Sequence, residues 1–391
     1  MKTFFILSFI LFTISKSSTG EIIYSGLTLQ GKFSDNEINY KYFYPFYVNN
    51  KKEINKNLFQ LFKNKKNIAA KKSSNKAALV LSPSIGADSI AIYNFEKGIT
   101  QYNISFFPEV SIYDNSTKEI INSLSATATA IYSTDKKINV SDLYKEFYID
   151  KKKLNMIGKC TNKEKIQADI YTIFEILFEC MDIDKKFKNN FKININFNEE
   201  LKKQFPNFFS NKSTEQAVIN SIGHRVTSIL SSNSAIEQNL VIPYSKDQKI
   251  TGVLKRFSDT TQISIKLPAS DYVIDTELIG YKRIIKNEDK DQIHSLYASG
   301  AIITVLEPFS GTILFKSKFK NIQEMFEPIS MKSLNENQKL NSFYRTISFL
   351  YLDAFSNIFS DKPNKKYFDK YSYSDFKDIK AMHRSLKNSI N

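Results

Sequence analysis

The sequence predicts an α+β protein of two related domains, each with an antiparallel or mixed sheet and helices packed on one face. Two stretches of the chain contain the same order of patterns: a helix, a short apolar strand closed by proline, strands that form a hairpin, and an amphipathic helix. Such a repeated order indicates a duplicated domain. The 391 residues, 42% of them hydrophobic, are enough to give each copy its own core.

The first copy begins with a helix that is predicted for residues 51–65 and is flanked by lysines. The apolar run 77–81 follows as a strand closed by Pro83, and a second strand is predicted for 87–93. Apolar residues alternate on both sides of a turn at 115–118, and this pattern predicts a hairpin.

The second copy repeats these elements in the same order. A longer helix is predicted for 213–230, and it precedes a short strand at 240–242 closed by Pro243. A further strand is predicted for 269–275, and a hairpin is predicted around the turn at 308–311. The copies therefore correspond element by element.

Each copy is predicted to end in a helix that begins at a capping box. In the first copy Thr161 and Glu164 form the box, and apolar residues at helical spacing continue the helix to Met181. In the second copy Ser333 and Glu336 form the box. The apolar stripes of both helices are expected to face the cores.

These patterns divide the chain into five ranges. We expect a signal peptide at 1–20, a first α+β domain at 21–186, a connector at 187–209, a second α+β domain at 210–360 and a basic aromatic tail at 361–391. The connector is rich in lysine and asparagine, contains Pro206, and is expected to include the first strand of the second domain at 193–197. The tail suits either docking to a protein or membrane interface or packing against the second domain.

The first twenty residues have the layout of an export signal. Lys2 precedes the apolar run 4–14, and Gly20 fits a cleavage site before Glu21. The run is shorter than the roughly 20 residues that span a bilayer, although an uncleaved anchor is an alternative. No cysteine directly follows the run, so a lipoprotein anchor is not expected. We expect an exported protein, periplasmic or secreted, that is not transmembrane after processing.

Cys160 and Cys180 are the two cysteines of the chain. An exported protein would normally pair them in a disulfide. The predicted helix from Thr161 argues against this bond, because its ends would be about 25 Å apart, whereas bridged Cα atoms lie within about 7 Å. The sequence leaves two alternatives open: a disulfide, or two thiols of which Cys180 is buried.

The formal net charge is +15, and only five of the 55 basic residues are arginine. Proteins that read nucleic acid favour arginine, so we expect no nucleic-acid partner. The lysines between 63 and 76 and the tail are candidates for binding an anionic lipid or polysaccharide surface. Solvated faces are the default interpretation of such lysines.

The sequence shows no constellation of catalytic residues. Its three histidines, His224, His294 and His383, have no second histidine at i+4 and no ligands in zinc spacing. His224 with Ser228 is a candidate base and nucleophile, but we favour a surface histidine because no orienting third group is specified. We therefore predict no catalytic, cofactor-binding or metal-binding residue, and we predict that the protein is not an enzyme.

The second copy resembles a group of envelope domains. In segment 269–278, alanine, aspartate and tyrosine precede an apolar strand. Segment 301–307 is an apolar strand that ends in an acidic residue, and in segment 310–314 a small residue and glycine precede the next strand. This pattern is similar to that of periplasmic α/β domains in the curli secretion channel, the Tol propeller protein, flagellar T-ring proteins and auxiliary lipoproteins of lipid-transport ABC systems. The resemblance implies a non-catalytic protein that assembles with other envelope proteins, and it transfers no functional residue.

The leading hypothesis is therefore an accessory or assembly subunit of a transport, secretion or motility complex, with other envelope proteins as partners. One alternative is a secreted hydrolase or toxin, with carboxylates that come together from distant positions. A second alternative is a binder of anionic envelope lipid or polysaccharide, whose affinity would fall steeply with salt.

Overall fold

A computed structural model describes residues 22–31, 40–64, 68–70, 79–95, 98–144, 149–150, 167–183, 185–231, 233, 239–244, 252–256, 262–360, 362–373 and 376–388. The predicted signal peptide, residues 1–20, lies outside these ranges. No helix within them is long and apolar enough to cross a membrane.

The first unit has one helix between its parallel strands and another after its antiparallel strands. Its strands are β1 (Ile22–Tyr24), β2 (Thr28–Gln30), β3 (Ile68–Ala70), β4 (Leu79–Asn94), β5 (Thr100–Asp114), β6 (Ile120–Ser125), β7 (Ala128–Thr134), β8 (Ile149–Asp150) and β9 (Gln167–Ala168). Its helices are α1 (Phe43–Lys63), α2 (Ile170–Cys180) and a 3₁₀ helix, Val140–Tyr144.

The second unit repeats this arrangement with three additions: two short helices before the helix that lies between its parallel strands, a two-stranded ribbon before its long antiparallel strands, and two helices at its end. Its strands are β10 (Asn190–Phe197), β11 (Leu240–Val241), β12 (Gly252–Arg256), β13 (Gln262–Lys266), β14 (Tyr272–Glu288), β15 (Gln292–Glu307) and β16 (Thr312–Pro328). Its helices are α3 (Glu199–Lys202), α4 (Pro206–Phe209), α5 (Lys212–Ser231), a 3₁₀ helix (Ile329–Met331), α6 (Glu336–Ile358), α7 (Lys365–Tyr371) and α8 (Phe376–Asn388).

The two sheets share one topology. In the first sheet β1 pairs in parallel with β3 and β4, and β4, β5 and β6 continue as antiparallel neighbours. In the second sheet β10 pairs in parallel with β11 and β14, and β14, β15 and β16 continue in the same way. The predicted fold class of two related α+β domains is confirmed.

The matching of the short strands was wrong in one place. The sequence pattern predicts that residues 77–81 are the first copy's counterpart of the strand at 240–242, which is β11. In the structure the counterpart of β11 is β3, and the run from Leu79 is the start of the long strand β4. Pro83 does not end this strand. It lies opposite the break between β1 and β2, where Tyr24 pairs with Leu81 and Thr28 pairs with Ser84. A proline without an N–H is tolerated at such a gap.

The helix predicted from Thr161 to Met181 is confirmed only in its second half, because Gln167 and Ala168 form strand β9, and residues 161–166 lie outside the described residues. The described helix α2 begins at Ile170, and Asp169 caps it by accepting a hydrogen bond of 2.7 Å from the N–H of Thr172. Cys180 is disulfide-bonded. The only other cysteine in the sequence, Cys160, lies outside the described residues. Because α2 begins only at Ile170, the length of an unbroken helix no longer separates Cys160 from Cys180, and a disulfide between them is not excluded.

The helices of each unit pack on one face of its own sheet. In the first unit α1 and α2 cover a core that includes Leu27, Phe43, Leu58, Phe62, Leu81, Phe106 and Phe174. In the second unit α5 and α6 cover a core that includes Ile193, Ile222, Val226, Ile274, Phe319, Phe343 and Ile347. The capping box of α6 forms two residues later than predicted, between Asn335 and Gln338.

One region of the chain lies in an unexpected place: the ribbon β12–β13 pairs with the first sheet, because Lys255 lies opposite Gln30. The strand expected at 193–197 within the connector is found as β10, and it is an inner strand of the second sheet. The tail packs on the second sheet, because Phe368 is buried in its core and the N–H of Tyr373 bonds to the carbonyl oxygen of Lys318. The domain bounds stay a prediction.

Candidate functional site

The first sheet packs on the helices of the second unit through the face that does not contact its own helices. The amide of Gln338 donates to the carbonyl oxygen of Ile92 at 3.2 Å, and the amide of Asn341 donates to the hydroxyl of Tyr93 at 2.9 Å. We call this face of the first sheet the covered face. The units are therefore stacked as helices, sheet, helices, sheet.

The strand registers show which positions of the second sheet match the covered face. β1 first pairs with β4 at Leu79, and β10 first pairs with β14 at Tyr272. Ser82 and Ser84 therefore match Asp275 and Glu277. We call this face of the second sheet the open face, because its lysines on β16 are exposed.

The part of the covered face next to β2 is lined by buried polar side chains. They are Thr28, Gln30, Ser82, Ser84, Glu109, Ser111, Ser123 and Ser125. The ribbon β12–β13 lies across this part of the face. Lys255 on β12 is fully buried, and its ammonium group lies 3.2 Å from a carboxylate oxygen of Glu109 and also donates to Ser84 and Ser111. Three acceptors satisfy the three donors of Lys255, so the pair holds the ribbon to the sheet.

His224 lies on α5, between the two units. The structure buries it, so the expected surface position was wrong. Its ring lies between those of Phe107 and Tyr244, and burial lowers the pKa of His224 to about 4. Ser228, its suggested nucleophile partner, donates to the carbonyl oxygen of Arg225 at 2.8 Å and bonds to the hydroxyl of Thr127. These contacts are those of a packed helix interface.

The other two histidines lie away from this interface. His294 on β15 stacks on Phe326 with ring centroids 4.7 Å apart, and its Nε2 lies 3.6 Å from a carboxylate oxygen of Glu324. The side chain of His383 lies outside the described residues. Within the described part of the chain, no cluster of three or more histidine, cysteine, aspartate or glutamate residues could hold a metal ion.

Asp88 on β4 is buried at the N-terminus of α1. One of its carboxylate oxygens accepts from the N–H groups of Phe43 at 2.5 Å and Tyr42 at 3.1 Å, and from the hydroxyl of Tyr144 at 3.0 Å. Burial raises the pKa of Asp88 to about 7, although these three hydrogen bonds oppose the shift. Asp88 therefore caps a helix that has no capping side chain of its own.

Each unit has a cleft at the same place in its topology, beyond the point where the inner parallel strand ends and the next helix begins. The cleft of the first unit has a volume of about 310 Å³ and is lined by Tyr42, Asp88, Ile90 and residues of α5 and α6. The cleft of the second unit is larger, about 910 Å³. In open α/β sheets, the crevice beyond the carboxyl ends of parallel strands is where ligands bind.

The cleft of the second unit is strongly basic, and we call it the cationic cleft. Its cations are Lys203, Lys282, Arg283, Lys332 and Lys339, and none of the described residues that line it is acidic. Gln204 and Ser333 add neutral polar groups, and the other lining residues are aromatic or apolar, with Phe205 fully buried. Sequence reasoning missed this site, because its lysines come from separate segments and form no run.

A buried network lies behind the cationic cleft. Arg283 donates to Glu327 at 2.8 Å and to the carbonyl oxygens of Met331 and Lys332 at 2.7 and 3.1 Å. The hydroxyl of Tyr297 donates to the same carboxylate at 2.7 Å. These bonds fix the segment that carries Lys332, so Arg283 positions the wall of the cleft.

Comparison with known proteins gives no family. No protein-family model matches the sequence, and no curated protein matches it. Among solved structures, a hypothetical protein from Chlamydia trachomatis is similar over 44% of this chain and 95% of its own, with 9% identity and a TM-score of 0.24. A homolog of a neuraminyllactose-binding hemagglutinin from Helicobacter pylori is similar over 52% of this chain and 92% of its own, with 12% identity and a TM-score of 0.24.

Proposed function

We propose that the chain is an exported, non-enzymatic protein of the cell envelope that acts as an accessory or assembly subunit. The observation that supports this is the packing of one unit on the other. In the first unit, the part of the covered face that contains Ala91 and Tyr93 packs on α5 and α6. The chain thus already contains one interface in which this sheet face docks on a layer of helices.

The matching part of the open face carries apolar side chains instead of a partner. Ile284 matches Ala91 by register, and its neighbours on the same face are Leu296, Ile322 and Phe326. We call these four residues the distal patch. Ile322 is 54% exposed and Phe326 is 71% exposed. Large apolar side chains grouped on one exposed face are typical of a docking surface.

The partner that fits the distal patch is another protein that presents helices with an acidic rim. Helices are the elements that cover the matching surface within this chain. Three exposed lysines lie beside the patch: Lys282, Lys286 and Lys320. The carboxylate beside the patch, Glu324, pairs with Lys286 and His294, so the remaining charge is positive and favours an acidic partner. A second copy of this chain fits less well, because α1 on its free side exposes Lys52 and Lys56.

The experiment is cross-linking in the native cell from a photoreactive amino acid placed at position 326. We expect a specific envelope protein to be captured, with the cross-linked peptide on one of its helices. Phe326→Asp should abolish co-purification of that protein. Ile131→Asp is the matched control, because Ile131 is an exposed isoleucine of strand β7 with 67% exposure.

The outcomes separate the proposal from its alternatives. Loss of the partner in Phe326→Asp and its retention in Ile131→Asp would support docking at the distal patch. If the protein with the photoreactive amino acid at position 326 is recovered only as an uncross-linked monomer, the proposal is overturned. Equal loss in both variants would also overturn it, because any exposed charge would then have the same effect.

A further inference from the structure

We propose that the cationic cleft binds a phosphorylated organic ligand. The cleft brings together single cations from the end of α3, from β14 and from the start of α6. Three of the five already have acidic partners: Lys203 with Glu200, Arg283 with Glu327 and Lys332 with Glu288. Those partners do not line the cleft.

The remaining two cations determine the charge that a ligand would meet. Among the described residues, neither Lys282 nor Lys339 has an acidic group within salt-bridge distance, and both are exposed. Positive charge of this kind, concentrated in a concave surface, attracts anions more strongly than the same charge spread over a flat face. The cleft therefore presents at least two uncompensated charges.

The charge of a phosphate group suits the lysines of the cleft better than the charge of a carboxylate. The planar fork of arginine is the preferred partner of both groups, whereas lysine acts as a point charge, so its attraction follows the charge of the anion. The one arginine of the cleft, Arg283, already donates to Glu327 and to two carbonyl oxygens. The groups left to bind a ligand are lysines. A phosphate group carries up to two negative charges, so one such group suits a pair of lysines.

The size and the floor of the cleft fit a ligand larger than a phosphate ion. Its volume of about 910 Å³ lies at the upper end of small-molecule sites. Ile285 and Leu334 are partly exposed and contribute apolar surface between the lysines, above the buried rings of Phe205 and Tyr281. The ligand is therefore a phosphorylated organic molecule, and its source is either a lipid headgroup or a soluble phosphate ester or polymer.

The experiment compares two variants of equal net charge. Lys282→Glu/Lys339→Glu reverses two charges in the cleft, and Lys52→Glu/Lys56→Glu reverses two exposed charges on α1. The probes are tripolyphosphate, titrated by calorimetry, and phosphatidylcholine vesicles with and without phosphatidic acid. We expect the cleft variant to lose about tenfold or more in affinity and the α1 variant to stay within about twofold.

Each arm of the experiment has a defined result. Binding of tripolyphosphate that depends on the cleft indicates a soluble phosphorylated ligand, and binding only to phosphatidic acid vesicles indicates a lipid headgroup. In both cases the affinity should fall between about 0.1 M and about 1 M salt. Equal losses in the two variants, or no binding of either probe, would overturn the proposal. Lys282 also lies beside the distal patch, so docking there is tested separately, by Phe326→Asp with Lys282 and Lys339 intact.

Discussion

The two units present the same sheet face to different surroundings, and their side chains differ accordingly. The matched positions carry Ser82 and Ser84 in the first unit and Asp275 and Glu277 in the second. The serines are buried beneath the ribbon, where one neighbour can satisfy a hydroxyl group. The carboxylates lie on a face that water reaches. Covering a sheet face therefore requires small neutral groups, or charges that are fully paired.

The largest effect is expected from Lys255, whose charge is buried on the covered face. In Lys255→Met the carboxylate of Glu109, 2% exposed, would lose its cation and stay buried. Leaving one charge of a buried pair uncompensated costs about 3–5 kcal/mol. We expect the free energy of unfolding, measured in urea, to fall by this amount.

The control for Lys255→Met lies on the open face. Lys316 matches Ser123 of the covered face by register, and Lys316→Met should change the free energy of unfolding by about 0.5 kcal/mol or less. The double variant Lys255→Met/Glu109→Leu should recover most of the lost stability, because no unpaired charge remains. A similar loss in Lys255→Met and Lys316→Met would show that the two faces do not differ in this way.

The next largest effect is a pH dependence of the free energy of unfolding, which is expected from the helix cap of the first unit and not from that of the second. Asp88 caps α1 and is ionisable, whereas α5 is capped by neutral Asn211, which accepts from the N–H groups of Ser213 and Thr214. The pKa of Asp88 is raised to about 7 in the folded state, mainly by burial, from an ordinary value of 3.8. The folded protein thus holds a proton that the unfolded chain releases between these values.

Because the folded state holds this proton more tightly than the unfolded chain, the free energy of unfolding falls as the pH rises. Stability contributed by protonated Asp88 is complete below about pH 4 and is lost as the pH rises to about 7. Relative to Asp88→Asn, the free energy of unfolding of the wild type should fall with a slope of up to about 1.4 kcal/mol per pH unit in that window. Urea unfolding of both proteins at a series of pH values measures it. Parallel curves would contradict the raised pKa.

The sequence predicts the fold class and several local elements, but not the strand pairings or the contacts between distant segments. The hairpin at 115–118 and the helix that follows Ser333 depend on local turn and capping patterns, and both were found. The pair of Glu109 and Lys255 joins residues 146 positions apart, and no local pattern marks such a contact. The cationic cleft was missed for the same reason. A search for runs of lysine detects local density, and the cleft collects single lysines from separate elements.

The smallest effect is expected at two glycines that lie at the strand bulges of the two units. Gly86 lies at the bulge of β4, beneath His224, and a Cβ atom there would lie 2.3 Å from the Nδ1 atom of His224. Gly280 lies at the bulge of β14, and a Cβ atom there would meet nothing within 4 Å. The bulges match, and only the first has a helix packed closely against it.

Gly86→Ala should therefore destabilise the protein by about 1–3 kcal/mol, because the ring of His224 and the helix α5 must move away from the sheet. Gly280→Ala should leave the free energy of unfolding unchanged or raise it slightly, because alanine restricts the unfolded chain more than glycine does. Thermal unfolding of both variants measures this difference between the covered face of the first sheet and the open face of the second. Gly86→Ala with wild-type stability would mean that α5 does not lie as close to the first sheet as the stacking of the two units requires.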